Sequence, residues 1–338
     1  MKIKAAAITI LFVLLSATTA YAKNGVHIGP GYGQFPDECA ACHRAHTGGM
    51  ERLLFTEATT TYGFCTTCHN GTGANTNVVR GMFEGDFTTW GTQGHGTAQA
   101  GLNGGGFESA VAYTGKANRM SAPVAIASDT NRHNATGSDD AINTAWGGGS
   151  SGPGTQMTLT CTSCHDPHGT DNANGSERYR ILRDVVNGNN VDAIIISNEN
   201  GTHDYTTTKY RNGLATFCEA CHTQYSKMSG YYDAGDGNGL TERYRHNPEV
   251  IISNGDKWTG NNMTIAHNMN AYSAILPVQQ SGYSPTNSGI NTMTCLTCHQ
   301  AHGTSATVTD SQIQATPAHS ATLLRLDNQG VCEACHMK

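Results

Sequence analysis

Twelve cysteines constrain this chain more than any other feature, because all twelve fall into six Cys-x-x-Cys pairs, each followed at once by histidine. The six sites are Cys39-Cys42-His43, Cys65-Cys68-His69, Cys161-Cys164-His165, Cys218-Cys221-His222, Cys295-Cys298-His299 and Cys332-Cys335-His336. Cys-x-x-Cys-His is the attachment motif of c-type haem. The two thiols add to the vinyl groups on one edge of a porphyrin, and the histidine supplies the proximal ligand to the iron. The spacing is tight because one short turn must reach both vinyls and the metal. A disulfide scaffold or a set of zinc sites would also use many cysteines. Neither requires histidine after every second cysteine, and histidine is only 16 of 338 residues. The expected complement is six covalently bound haem c groups, with His43, His69, His165, His222, His299 and His336 as proximal ligands.

The start of the chain agrees with this chemistry. Lys2 and Lys4 precede an apolar run from Ala5 to Leu15, and Ala20-Tyr21-Ala22 forms an A-x-A cleavage site before Lys23. That is a secretory signal peptide over residues 1–22. Bacterial c-type haem is attached outside the cytoplasmic membrane, so export is expected. The apolar run is too short for a membrane span, and no other run reaches spanning length. No cysteine at the cleavage site offers a lipid anchor there. Loss of Lys2 and Lys4 takes the formal net charge from −6 to −8, which argues against nucleic acid as a partner.

Composition makes the haems the core. Glycine is 40 of 338 residues and charged residues are 14%. Large aliphatic side chains are scarce, and such a sequence by itself leans towards disorder. The expected fold is mostly irregular coil with short α-helices at the haem sites and minor β-structure. Short strands are expected at Asp192–Ser197 and Val250–Ser253, and an irregular loop at Gly147–Gly154. Nothing divides residues 23–338 into parts with independent cores, so one hexahaem domain is expected.

The domain is internally repetitive. The first, third and fifth sites continue to a second histidine, in His43-Arg44-Ala45-His46, His165-Asp166-Pro167-His168 and His299-Gln300-Ala301-His302. The even-numbered sites lack it. This divides the chain into three two-haem units, approximately 23–150, 151–270 and 271–338. A His-Asn pair also recurs, at His133, His246 and His267. The two sets together number six, which is what six irons need for distal ligation. By order, His133, His246 and His267 are assigned to the haems at Cys65/Cys68, Cys218/Cys221 and Cys332/Cys335. His27, His95, His203 and His319 sit in no repeated context and read as ordinary surface or hydrogen-bonding residues, with His95 the replacement should His133 not serve. No methionine recurs with the sites, so packing is their expected role.

Bis-histidine iron leaves no coordination position for a substrate. Electron transfer is therefore the expected function. A multihaem oxidoreductase of the nitrite-reductase type is the alternative and would need a five-coordinate haem.

The pieces Cys39–His46, Cys161–Gly169, Tyr179–Leu182, Phe217–His222, Arg245-His246, Cys295–His302 and Cys332–Lys338 stand in an order that resembles the OmcS-like family of filament-forming hexahaem c-type cytochromes on the outer surface of metal-reducing bacteria. The resemblance implies a fold wrapped around a linear chain of close haems and an extracellular location, with a periplasmic shuttle as the alternative. It implies other c-type cytochromes and ferric minerals as partners. Spacing adds a further expectation. If the stretch is helical, two histidines three residues apart project from one side, so His46, His168 and His302 each serve another motif's haem. Stacking the units in order gives His302 to the haem at Cys161/Cys164 and His168 to that at Cys39/Cys42. His46 then binds the Cys295/Cys298 haem of a neighbouring copy, a head-to-tail contact that propagates as a filament. The resemblance implies the same crossing.

Overall fold

The computed structural model describes residues 27, 38–49, 51–74, 76–83, 101–112, 125–145, 155–170, 181–191, 195–196, 210–223, 229–233, 240–244, 277, 279–280, 291–307, 323–327 and 330–331. The signal peptide, His95, His203, His246, His267, His319, the site Cys332-Cys335-His336, Gly147–Gly154 and Val250–Ser253 lie outside these residues.

Four short α-helices are present among the described residues: α1 Thr61–Thr66, α2 Cys161–Cys164, α3 Leu214–Glu219 and α4 Cys295–Cys298. Each carries one or both cysteines of a haem motif. A 3-10 turn, Glu38–Ala41, does the same for the first site. The rest is coil and small ladders, as the composition implies. None of the helices is long and apolar enough to cross a membrane.

The strands are two to five residues long and pair mostly in twos. Val185–Val186 and Asn189–Asn190 form one hairpin. Its turn, Asn187-Gly188, has φ of 49° and 75°, the left-handed pair of a type I′ turn that Asn-Gly adopts with little strain. The expected strand at Asp192–Ser197 is present as Ile195–Ile196, on the edge of a four-stranded sheet with Tyr210–Asn212, Gln279–Gln280 and Asn291–Thr292. One ladder joins remote parts of the chain: Gly303–Thr304 pairs antiparallel with Asn131–Arg132.

The apolar core is thin. Val186, Val191 and Ala220 form one cluster, with Phe217 and Cys221 packed on it. Met82, Phe83, Leu214 and Leu326 are each buried, at 2% exposure or less. Ile142 remains 71% exposed.

Asp129, beside the Gly303 ladder, is the odd group in this interior. Both of its carboxylate oxygens are buried, and neither has a hydrogen-bond partner among the described residues. Burial pushes its pKa up to about 7, against the opposing pull of Arg132 and with a push from Glu108. The native state therefore holds this proton more tightly than the unfolded chain does. Stability should fall as pH rises from about 4 to about 7 and level off above, because the unfolded state releases the proton first. Asp129→Asn should raise the melting temperature at pH 8 and leave it unchanged at pH 4. Equal shifts at both pH values would exclude Asp129 as the group responsible.

Candidate haem-binding sites

Every described motif closes the same turn. The backbone N–H of the motif histidine donates to the carbonyl of the first cysteine, at 2.8–3.0 Å, for His43, His69, His165, His222 and His299. That one helical turn puts both thiols and the imidazole on a common patch.

The sequence pattern Thr-Cys-x-[Ser/Thr]-Cys-His sets the turn at the third and fifth sites. The Thr160 N–H donates to Ser163 Oγ at 3.0 Å, and the Thr294 N–H donates to Thr297 Oγ1 at 2.9 Å. These are the return arms of capping boxes. Helix α1 is capped differently. Thr60 Oγ1 accepts from the Gly63 N–H, and the carboxylate of Asp139 accepts from both the N–H and the hydroxyl of Thr61. An anion at a helix N-terminus is favourable, so Asp139→Ala should destabilise the protein by about 1–3 kcal/mol. Chemical denaturation of the haem-loaded protein checks this, and a change below a few tenths would show the cap to be dispensable.

A second element recurs at the three extended sites and is not visible from motif spacing. The proximal histidine forms an isolated antiparallel bridge with a leucine: His43 with Leu54, His165 with Leu182 and His299 with Leu324. The residue before each leucine, Leu53, Ile181 or Leu323, has φ of 51–63° together with its neighbour Arg52. The hydrogen bonds repeat too. Arg44, Asp166 and Gln300 donate to the carbonyls of Leu53, Ile181 and Leu323 at 2.6–2.8 Å. Phe55, Arg183 and Arg325 donate to the carbonyls of Cys42, Cys164 and Cys298 at 2.9–3.0 Å. At two sites the arginine side chain extends the clamp. Arg183 Nε donates to Thr162 O and Arg325 Nε to Leu296 O, both at 2.5 Å. The sequence signal is the triplet Leu53-Leu54-Phe55, Ile181-Leu182-Arg183 and Leu323-Leu324-Arg325.

This clamp changes one premise of the spacing argument. The stretch after the proximal histidine is not helical: His165 (φ −114°, ψ 145°) and His299 (φ −118°, ψ 154°) are already extended. The second histidine follows in a turn or bend, where a helix would have kept it on the same side.

Among the described residues four pairs of imidazoles approach each other, with planes at 8° for His43 and His168, 54° for His165 and His302, 53° for His133 and His222, and 80° for His27 and His69. His43 faces His168 with ring centroids 6.3 Å apart and planes at 8°. His165 faces His302 at 6.3 Å, His222 faces His133 at 6.1 Å, and His69 faces His27 at 5.8 Å. Two imidazoles ligating one metal from opposite sides, at roughly 2 Å per bond, would have centroids roughly 6 Å apart. Among the described residues no cluster of three or more metal-ligating side chains forms. The pairs would suit a haem iron, with the cysteine pairs of the same motifs as its attachment points.

The hydrogen bonds fix the tautomers. His43 Nδ1 meets the Arg52 carbonyl at 2.8 Å, His302 Nδ1 the Gly105 carbonyl at 3.2 Å, His27 Nδ1 the Pro167 carbonyl at 3.3 Å, and His133 Nδ1 the Ala301 carbonyl. A carbonyl only accepts, so Nδ1 carries the proton and Nε2 keeps its lone pair for a metal. Burial lowers the pKa of His27 and His133 and takes that of His302 down to about 4, which keeps these rings neutral near neutral pH. The seat of His302 needs glycine. Gly105 has φ of 71°, and a Cβ on Gly104 would lie 2.9 Å from His302 Nδ1.

These pairs depart from the ligand order expected from the His-Asn repeat. His133 lies against His222, not His69, and His27 takes the place facing His69. His246 and His267 are outside the described residues. His46 is exposed.

The cysteines also meet across motifs. All ten described cysteines are free thiols, standing where thioether sulfurs would be after attachment. Cys65 lies beside Cys161, and Cys218 beside Cys295. Helix α1 accordingly packs on α2, and α3 on α4, so the second and third sites, and the fourth and fifth, abut through their first cysteines.

No curated protein matches the chain, and no solved structure does. A family model, the doubled CXXCH motif, matches residues 35–74, the stretch that holds the first two sites. The doubled motif, with its indication of covalently bound haem c, points to a multihaem c-type cytochrome in electron transfer.

Proposed function

We propose that the chain is an electron carrier with six bis-histidine c-type haems, and that it works as a head-to-tail polymer at the outer surface of the cell. The observation that carries the first part is the set of four opposed imidazole pairs. Haem iron, when bound, supplies reversible one-electron chemistry. Each described motif holds its histidine with a closed turn, and four of them have a second imidazole with ring centroids 5.8–6.3 Å apart. With the haem bound, such a pair would leave water and small substrates no place on the metal.

The polymer follows from register. His302 faces the third motif and His168 faces the first, so each second histidine addresses the odd-numbered site before its own. His46 belongs to the first site and is exposed. In the same register its target is the haem at Cys295/Cys298 of a neighbouring copy. One distal position then remains, at Cys332/Cys335, for His246 or His267, and the outer partners are other c-type cytochromes and ferric minerals. Haem-loaded protein should gain the mass of six haems, show low-spin spectra without carbon monoxide binding, and form filaments in negative stain. His46→Ala should abolish the filaments. A carbon monoxide adduct in the intact protein would favour the oxidoreductase. Filaments that survive His46→Ala would end the polymer reading and leave the carrier intact.

A further inference from the structure

His27 and His133 are far apart in sequence, yet they are held in the same way. The Nδ1–H of His27 donates to the Pro167 carbonyl at 3.3 Å, and the Nδ1–H of His133 donates to the Ala301 carbonyl. Pro167 and Ala301 occupy one and the same position, immediately before the second histidine of an extended motif. At the fifth site the bond is reinforced, because the His133 N–H donates to the His302 carbonyl at 2.9 Å next to the Gly303–Thr304 ladder with Asn131–Arg132.

The targets repeat as well. In the turn at 165–168, His168 faces the first motif's histidine, while the ring held by Pro167 faces the second motif's. In the turn at 299–302, His302 faces the third motif's histidine, while the ring held by Ala301 faces the fourth motif's. Each turn therefore bears on two sites at once, one through an imidazole of its own and one through a carbonyl.

We propose that Pro167 and Ala301 are positioning residues for the neighbouring haems. Their carbonyls set the tautomer and ring rotation of His27 and His133, so that each His-x-x-His turn fixes the distal ligands of two irons. This rests on the bis-histidine reading above. A hydrogen bond from Nδ1–H to a carbonyl makes the imidazole a stronger donor through Nε2. That favours the ferric state and lowers the potential of the haem concerned. A residue with no ionisable side chain would thereby tune redox chemistry, and movement of one turn would be felt at two adjacent haems.

Replacing His133 with Nδ1-methylhistidine removes the donor and leaves Nε2 free. In the haem-loaded protein, all six haems should stay low spin. One of the six potentials should rise, by about tenfold in its reduction equilibrium, about 59 mV for one electron. One low-spin electron paramagnetic resonance signal should move as its ring rotates. The same replacement at His27 should move a different haem. A second measurement needs no variant. In the reduced protein, low-spin ferrous haem is diamagnetic, and the Nδ1–H protons of His27 and His133 should exchange slowly and couple to labelled carbonyl carbons of Pro167 and Ala301. Unchanged potentials and signals, or fast exchange without coupling, would overturn the proposal. A high-spin signal in the unmodified protein would instead overturn the bis-histidine reading on which it stands.

Discussion

Replacing His302 with alanine should leave the haem at Cys161/Cys164 five-coordinate, with a high-spin signal worth one haem of six and carbon monoxide binding to the reduced form. His302 is held from three sides. Its ring faces His165 at 6.3 Å, Phe107 stacks on it at 4.7 Å, and Gly105 accepts its Nδ1–H. Tyr62 packs edge-on against Phe107, so helix α1 backs the same pocket. The loss should also reach the haem at Cys218/Cys221, whose partner His133 is tied to the His302 and Ala301 carbonyls. The expected spectrum is therefore one high-spin haem and one altered low-spin haem. His168→Ala should give the matching pattern at Cys39/Cys42 and Cys65/Cys68. A spectrum that stays fully low spin after His302→Ala would remove His302 from the ligand set.

The second large effect concerns the chain without its haems. With all twelve cysteines changed to serine, the polypeptide should show no cooperative thermal transition and mostly random-coil circular dichroism. Helices of four to six residues are far below the length that persists alone in water. Isolated two-stranded ladders are marginal too. Among the described residues a buried aliphatic cluster contains only Val186, Val191 and Ala220, small against the chain entropy that folding must offset. Porphyrin faces supply the missing apolar surface in the loaded protein. A sharp transition in the serine variant, near that of the haem-loaded protein, would show that the polypeptide core is sufficient by itself.

The attachment sites were legible because they are local. Two thiols and one imidazole within five residues are a covalent pattern that can be read without the rest of the chain. The coil-rich fold with its short helices followed from composition for a similar reason. The aim of the second histidines at 168 and 302 at earlier motifs rested on an assumed helix, whereas the structure has an extended proximal histidine followed by a turn or bend.

What the tertiary structure decided lies in the long-range pairings. Sequence order assigned His133 to the second site, whereas in the fold its ring lies 6.1 Å from that of His222 at the fourth. His27, which no repeat marks, reaches Pro167 across 140 residues and faces His69. The leucine clamps escaped for the same cause. Leu54, Leu182 and Leu324 follow their histidines by 11, 17 and 25 residues, so no fixed spacing announces them. Loop closure costs little more for a long loop than for a short one. Distance along the chain therefore hardly restricts which histidine meets which iron, and that choice belongs to the packing of the turns around the haems.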